Sequence, residues 1–247
     1  MDVSDFKTYI AQLEKENRIL TKKLARSEEN RALLEETLAT HWVALRARNL
    51  ELEESRELIR QSEAKYRILA HHDLLTGLPN RIFFEERLTQ HIHHAKENQT
   101  SVALFYLDLD LFKNINDTYG HETGDKALQE IAHRLRFSVR LEDTVARIGG
   151  DEFIIILGNL TYIEYAKQIA EIILSNVAKP FSIAGITCEV GTSIGISLFP
   201  QDDGDVTTLL EKADLAMYDI KKSGRHGYRF YHEINSQSLT TRSSQSN

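Results

Sequence analysis

Thr144-Val145-Ala146-Arg147-Ile148-Gly149-Gly150-Asp151-Glu152-Phe153-Ile154-Ile155-Ile156-Leu157 is the stretch that decides the fold. Two β-rich runs flank a pair of glycines. The pattern predicts strands over 144–148 and 152–157 joined by a tight hairpin, because primed turns need the positive φ that glycine adopts freely. Upstream, residues 101–107 form a dense apolar run of the kind a buried central strand carries. Around these strands the spacing predicts helices over 81–96, 116–137, 161–178 and 206–222. Residues 186–198 are strand-rich, and 228–231 make a short last strand. The expectation is an α/β domain of about 165 residues with one mixed or antiparallel sheet flanked by helices.

Acidic residues stand at the strand ends. Asp108 and Asp110 follow the buried run, and Asp151 and Glu152 follow the glycine turn. Of Asp108 and Asp110, only one is expected on a given face. If the hairpin lies beside the central strand, Asp108 and Asp151 meet at one sheet edge. Two carboxylates there repel each other, and a hard divalent cation such as Mg²⁺ resolves the repulsion. Mg²⁺ with phosphate oxygens is the apparatus of nucleotidyl transfer. Taken singly, such acids are ordinary solvated turn residues. Lys221 and Arg225 lie four apart at a helix end, where they could hold a triphosphate or simply face solvent, and Lys113 could supply a third cation.

The first 69 residues are built differently. They hold 13 basic and 13 acidic side chains, so the net charge of −7 falls wholly on the rest. The first glycine is Gly77 and the first proline Pro79. Stepping by four and three from Phe6 to Leu69 gives nineteen positions, of which twelve are apolar or aromatic. A 3.5-residue period marks a coiled coil, here a helix roughly 100 Å long that needs a partner, most simply a parallel second copy. Asn17 in the seam either selects a parallel dimer in register or is a tolerated polar position. Trp42-Val43 beside the track marks a register shift, a protein-docking patch or a loose stretch of coil.

Other observations exclude. An acidic balance argues against generic nucleic-acid binding, which needs clustered Lys and Arg. One cysteine, Cys188, excludes an internal disulfide framework, and it reads as a small buried apolar residue. No run approaches the roughly 20 apolar residues of a membrane span, and the start lacks a signal-peptide pattern. The expectation is a soluble, cytoplasmic protein. The run His91-Ile92-His93-His94 has no acid or cysteine partner in sequence and reads as part of an amphipathic helix rather than a metal site.

Arg147-Ile148-Gly149-Gly150-Asp151-Glu152-Phe153 resembles the signature of the GGDEF domain of bacterial diguanylate cyclases. Three further motifs agree in order and spacing: residues 73–81, residues 108–117, and Ala213-Asp214 through Met217-Tyr218 with Lys221 and Gly224-Arg225. Small departures are Ile220 and His226, where Ala and Asn are more usual. The periodicity predicts a coiled coil over 1–69 and the polar composition a disordered tail over 233–247; the resemblance implies a fold like the adenylyl cyclases and the polymerase palm over 70–232. It implies condensation of two GTP into cyclic di-GMP with release of two pyrophosphates. Asp108 and Asp151, with the Leu109 carbonyl, would hold Mg²⁺, Mn²⁺ being possible. Asp151 or Glu152 would help to activate the ribose 3′-hydroxyl, the base being either one or water. Lys113, Lys221 and Arg225 would bind phosphates, and Gly149-Gly150 would let backbone approach the nucleotide. Asn116 and Asp125 would read guanine. Adenine offers no donors to Asp125 in that arrangement, which would cost about 1–3 kcal/mol. An Asp125 helix cap is the alternative. Arg140 and Asp143, an R-x-x-D five residues before Gly149, would form an inhibitory product site; otherwise they are a surface ion pair.

Each site would take one GTP, so two copies must meet face to face, held by the helix at high effective concentration. The partners implied are GTP, cyclic di-GMP, a second copy and an unidentified regulatory protein on the coil, with no nucleic acid and no membrane span. A catalytically silent cyclic di-GMP receptor and a coiled-coil scaffold are the competing readings.

Overall fold

The computed structural model describes residues 3–234, with the side chains of residues 3–6 and 64 left aside. The polar tail from residue 235 onward lies outside them. The chain divides into two compact units, 1–65 and 66–247.

The N-terminal unit is helical. Helix α1 (Val3–His71) runs 69 residues without a break. No glycine or proline interrupts it, and i,i+4 and i,i+3 pairs such as Arg31–Glu35 and Arg60–Glu57 line its surface. Its apolar track is on the outside of the single chain: Leu20, Leu24, Leu34, Leu38, Leu45 and Leu52 are each more than half exposed. A solitary helix cannot bury such a stripe, and packing rather than propensity usually stabilises one. No helix among the described residues is long and apolar enough to cross a membrane.

The second unit follows in the order α2 (Arg81–Asn98), β1 (Ser101–Asp110), α3 (Phe112–Tyr119), α4 (His121–Phe137), β2 (Thr144–Gly149), β3 (Glu152–Leu160), α5 (Ile163–Ala178), β4 (Phe181–Ile183), β5 (Ile186–Cys188), β6 (Gly191–Phe199), α6 (Val206–Lys222) and β7 (Gly227–Phe230). Five strands form one sheet in the order β2-β3-β1-β6-β7, and β4-β5 form a separate pair. All pairings in the main sheet are antiparallel except β6 with β7.

Strand β1 sits at the centre with both faces covered. Ala103, Phe105, Leu107 and Leu109 point into a core with α4 and α5 residues such as Ile131, Leu135, Ile169 and Ile173. Val102 and Leu104 point the other way, onto Phe84, Leu88 and Ile92 of α2 and Leu209 and Ala213 of α6. Burial of both faces explains why 101–107 reads as a continuous apolar run rather than an alternating one.

Two expected boundaries shift. The helix expected over 116–137 is two helices, because Gly120 at φ 82 turns the chain between α3 and α4. The strand-rich 186–198 segment is two strands in different sheets. Cys188 is buried at the end of β5, as a small apolar residue.

Helix α6 lies directly against β6, and Gly195 makes this possible. A Cβ there would stand 1.9 Å from the Ala213 carbonyl oxygen and 2.2 Å from the Met217 nitrogen. Those are backbone atoms, which cannot swing aside. Gly195→Ala should therefore push α6 off the sheet and cost about 3 kcal/mol, the upper end for overpacking. A urea titration reads this as a lower midpoint; an unchanged midpoint would show that the helix yields freely.

Candidate active site

The β2–β3 hairpin delivers Asp151 and Glu152 to the end of β1. Asp108 pairs in register with Glu152, and the Leu109 N–H donates to the Asp151 carbonyl over 3.3 Å. The acids therefore share one sheet edge, as the spacing predicted. Asp108 is buried, and Lys221 from the end of α6 meets its carboxylate at 2.6 Å. Burial pushes the Asp108 carboxyl above its ordinary value, Lys221 opposes, and the negative charges of Asp151 and Glu152 add to the rise. A carboxylate held near two others with one lysine as counter-ion is a place where added positive charge lowers the energy.

The expectation that only one of Asp108 and Asp110 occupies a given face is corrected. Residues two apart on a strand share a face, and both lie within β1. Their partners separate them. Asp110 accepts from Ser193 Oγ at 2.7 Å and from the His226 N–H at 3.0 Å. It thus ties the turn that carries Arg225 to the sheet, while Asp108 faces Lys221. Arg225 has φ 65, and its N–H closes on the Ile220 carbonyl.

Among the described residues, no three His, Cys, Asp or Glu side chains converge so as to hold a metal ion.

A cavity of about 270 Å³ opens beside these acids, lined by Phe112, Lys113, Asn116, Asp125, Arg147, Gly150 and Asp151, with His121 and Leu128. It brings together five residues singled out in the sequence. Asp125 lies inside α4, four residues past its start, so it is not the cap of that helix. A neighbouring glycine leaves room for the Asn116 side chain: a Cβ on Gly124 would fall 1.9 Å from Asn116 Oδ1. The motif spacing alone does not reveal that role.

Two further residues went unassigned in the sequence. Tyr106 lies two residues before Asp108 on the same face of β1. Its hydroxyl engages the Glu152 carboxylate, and burial together with Glu152 pushes its pKa up to about 12. It stays a protonated donor to Glu152 at any physiological pH. Arg147 is the second. Its guanidinium meets both oxygens of Asp73 at 2.9 and 3.0 Å and, through Nε and its other amino group, the Gly150 carbonyl at 3.0 and 2.7 Å. One side chain thus fastens the opening motif to the catalytic turn across 74 residues.

Arg140 and Asp143 lie elsewhere. The Arg140 guanidinium stacks 4.1 Å over the Tyr165 ring, and buried Asp143 accepts from the Arg140 backbone N–H at 3.0 Å. Arg140 lines a separate cavity of about 320 Å³. Of the histidine run, His93 faces Glu97 at 3.6 Å.

A mixed sheet with carboxylates at one edge, lysines from two helices and a polar cavity beside them defines an α/β domain with a charged site at its strand ends. The family model described as "Diguanylate cyclase, GGDEF domain" matches residues 70–227, and the chain belongs to that family. Diguanylate cyclase TpbB of Pseudomonas aeruginosa is 40% identical over 186 residues, covering 75% of this chain and 42% of TpbB. The chain therefore spans less than half the length of that relative. A solved structure of the coiled coil and GGDEF domain of DgcB from Caulobacter crescentus, in complex with c-di-GMP, is 29% identical with a TM-score of 0.68, covering 75% of this chain and 98% of that one. Diguanylate cyclase SiaD of Pseudomonas aeruginosa, solved with its activator SiaC, is 28% identical with a TM-score of 0.62, covering 92% of this chain and 87% of that one.

The Arg147–Asp73 pair carries the test of this architecture. Burial works upward on Asp73, but Thr76 and Arg147 outweigh it and hold the carboxyl below its ordinary value. A depressed carboxyl contributes its stability above the unfolded value of about 3.9 and loses it as pH falls through the folded one. Asp73→Asn should cost about 2–3 kcal/mol at pH 7, read by urea unfolding. The gap between variant and wild type should shrink below about pH 4. A gap that is constant from pH 7 to 3 would count against the pair.

Proposed function

We propose that this chain is a diguanylate cyclase that condenses two GTP into cyclic di-GMP. The observation that carries the reading is the single cavity uniting Asn116 and Asp125 with Lys113, Gly150 and Asp151. An amide and a carboxylate side by side match the edge of guanine, whose N1–H and amino group donate to Asp125 while Asn116 both donates and accepts. Adenine would leave the Asp125 carboxylate without a donor. Lys113 lies at the same cavity as a phosphate cation, and Lys221 and Arg225 approach from the end of α6 and the turn beyond it.

The chemistry balances as two like steps. The 3′-oxygen of one GTP forms a bond to the α-phosphorus of the other, the bond to pyrophosphate breaks, and the hydroxyl proton passes to a base. A second such step closes the ring. Asp151, Glu152 or a water held by them takes the proton, with Tyr106 orienting Glu152. Asp108, Asp151 and the Leu109 carbonyl would hold a divalent cation, Mg²⁺ or Mn²⁺. When bound, that cation neutralises triphosphate charge. Its charge would offset the repulsion among the acids in place of Lys221, leaving that lysine able to turn from Asp108 to a phosphate.

One site holds one GTP, so the active form is a dimer. The exposed stripe of α1 supports pairing with a second copy along the helix, and tethering raises the effective concentration of one catalytic domain for the other. The likeness to SiaD extends over 92% of the chain, beyond the catalytic domain. That supports a regulatory protein acting on α1. Arg140 and Asp143 take the product as a feedback inhibitor, and the supply of GTP places the reaction in the cytoplasm.

Purified protein incubated with GTP and Mg²⁺ should yield cyclic di-GMP, and Asp151→Ala should lower the rate by about a hundredfold or more. Cyclic di-GMP that binds tightly with no turnover would promote a silent receptor instead. Neither turnover nor binding would leave a scaffold. Mg²⁺ alone should raise the melting temperature of wild type but not of Asp108→Asn.

A further inference from the structure

We propose that Tyr106, with Asp214 behind it, is a positioning residue that holds the Glu152 carboxylate back over the sheet, so that of the three acids at the strand ends only Asp108 and Asp151 reach the metal. The inference rests on the reading of that sheet edge as a divalent-cation site.

The ladder sets the geometry. Asp108 stands directly opposite Glu152, and Tyr106 directly opposite Ile154. Residues two apart on a strand share a face, so all four stand on the side where Ile154 packs beneath α2 and α6. Tyr106 and Glu152 are therefore diagonal neighbours, about 7–8 Å apart at the backbone, a gap that long side chains span. The Tyr106 hydroxyl donates to the Glu152 carboxylate. To meet it, the Glu152 side chain leans inward along the sheet, away from the turn that carries Asp151. The effect on Asp108 agrees. Asp151 contributes more than Glu152 to the rise of its carboxyl, although Glu152 is its direct partner in the ladder.

The surroundings make the hydroxyl necessary. Tyr106 lines a cavity of about 240 Å³ between α2 and α6. Phe84, Ile154 and Leu210 give it an apolar lining, and Glu211 and Asp214 stand on its α6 side. Arg81 is the one cation in that lining, and it is already paired with Glu85 at 3.0 Å. A carboxylate over such a surface has lost water and faces like charge. The negative charges of Glu152 and Asp214 both act on the Tyr106 hydroxyl. Without that donor, Asp214 repels Glu152 and nothing in the lining holds it, so Glu152 swings to the strand end, where Lys221 and a cation attract it. Helix α6 supplies both influences from one side: Asp214 and Lys221 are about two turns apart, the first acting on Tyr106 and the second on Asp108. A Glu152 kept off the metal keeps its oxygens for the attacking hydroxyl or for the water that takes its proton.

The test uses the full chain and reads Mg²⁺ binding without nucleotide, by thermal shift, beside turnover of GTP. It compares wild type with Tyr106→Phe, Asp214→Asn and Glu152→Gln, and with Tyr106→Phe combined with each of the other two. Phenylalanine keeps the ring that packs against the core, so only the hydroxyl is lost. Tyr106→Phe should bind Mg²⁺ about tenfold more tightly than wild type, because a third carboxylate joins the cation. Its kcat should nevertheless fall about tenfold, with the KM for GTP within about twofold. A merely structural loss would not tighten metal binding. Asp214→Asn alone should change Mg²⁺ affinity by less than about twofold, and combined with Tyr106→Phe it should take back most of the gain. In the Glu152→Gln background, loss of the hydroxyl should change Mg²⁺ affinity by less than about twofold. Unchanged or weaker Mg²⁺ binding in Tyr106→Phe would overturn the proposal, as would a gain that persists with Glu152→Gln. A gain untouched by Asp214→Asn would overturn the part given to Asp214. Tightened Mg²⁺ binding in a chain that makes no cyclic di-GMP would uphold the positioning and sink the cyclase reading. Wild type that does not respond to Mg²⁺ would overturn the metal site and the inference with it.

Discussion

The guanidinium of Arg147 is the fastening on which the catalytic unit depends. One planar fork reaches the Asp73 carboxylate on one side and the Gly150 carbonyl on the other. Its own N–H also donates to the Pro79 carbonyl. Arginine suits this work because its donors are coplanar, rigid and always charged. The turn that carries Asp151 is short and rich in glycine, and left alone it would sample many conformations. Anchoring its carbonyl reduces that freedom before any nucleotide arrives. Arg147 also lines the cavity beside Lys113 and Asp125, so the positioning of the turn and the shape of the pocket depend on the same side chain.

The acids at the sheet edge show the opposite condition. Asp108 is buried beside like charges, with Lys221 the one cation among the described residues that pairs with it. The arrangement is electrostatically unsatisfied by design of the fold: the hairpin register sets Glu152 opposite Asp108, and the close packing of α6 over Gly195 brings Lys221 within reach. Such stored repulsion costs stability, and it is relieved by positive charge. On the proposed reading, a nucleotide with its cation would provide that relief.

Two cavities divide the molecule's chemistry. One is bordered by carboxylates and an amide, the groups that the proposed reading sets against a base. The other is bordered by arginines and histidines, and it suits phosphate. Strand β3 runs between them: it follows directly on Gly150 and Asp151 of the first and carries Gly158 and Asn159 of the second.

Much of this was legible in the sequence. The absence of glycine and proline before Gly77 marks α1, because nothing else in those residues breaks a helix. The Gly149-Gly150 pair marks the hairpin, and the apolar run before Asp108 marks a strand covered on both faces. The four motifs, in order, bring Asp108, Asp151, Lys221, Asn116 and Asp125 into one reading. What the sequence could not determine depends on side chains that meet only after packing. Gly120 turns one expected helix into two, and Gly124 matters only because Asn116 lies against it. Tyr106 reads as one more apolar residue of a strand until the register sets its hydroxyl by Glu152. Arg147 reads as part of a motif until it closes on Asp73, and the histidine run reads as part of an amphipathic helix until Gly158 admits the His91 ring. Periodicity records which face of an element is buried; only the tertiary structure decides which partner that face meets, because the meeting is made by register and close approach between segments far apart in the chain.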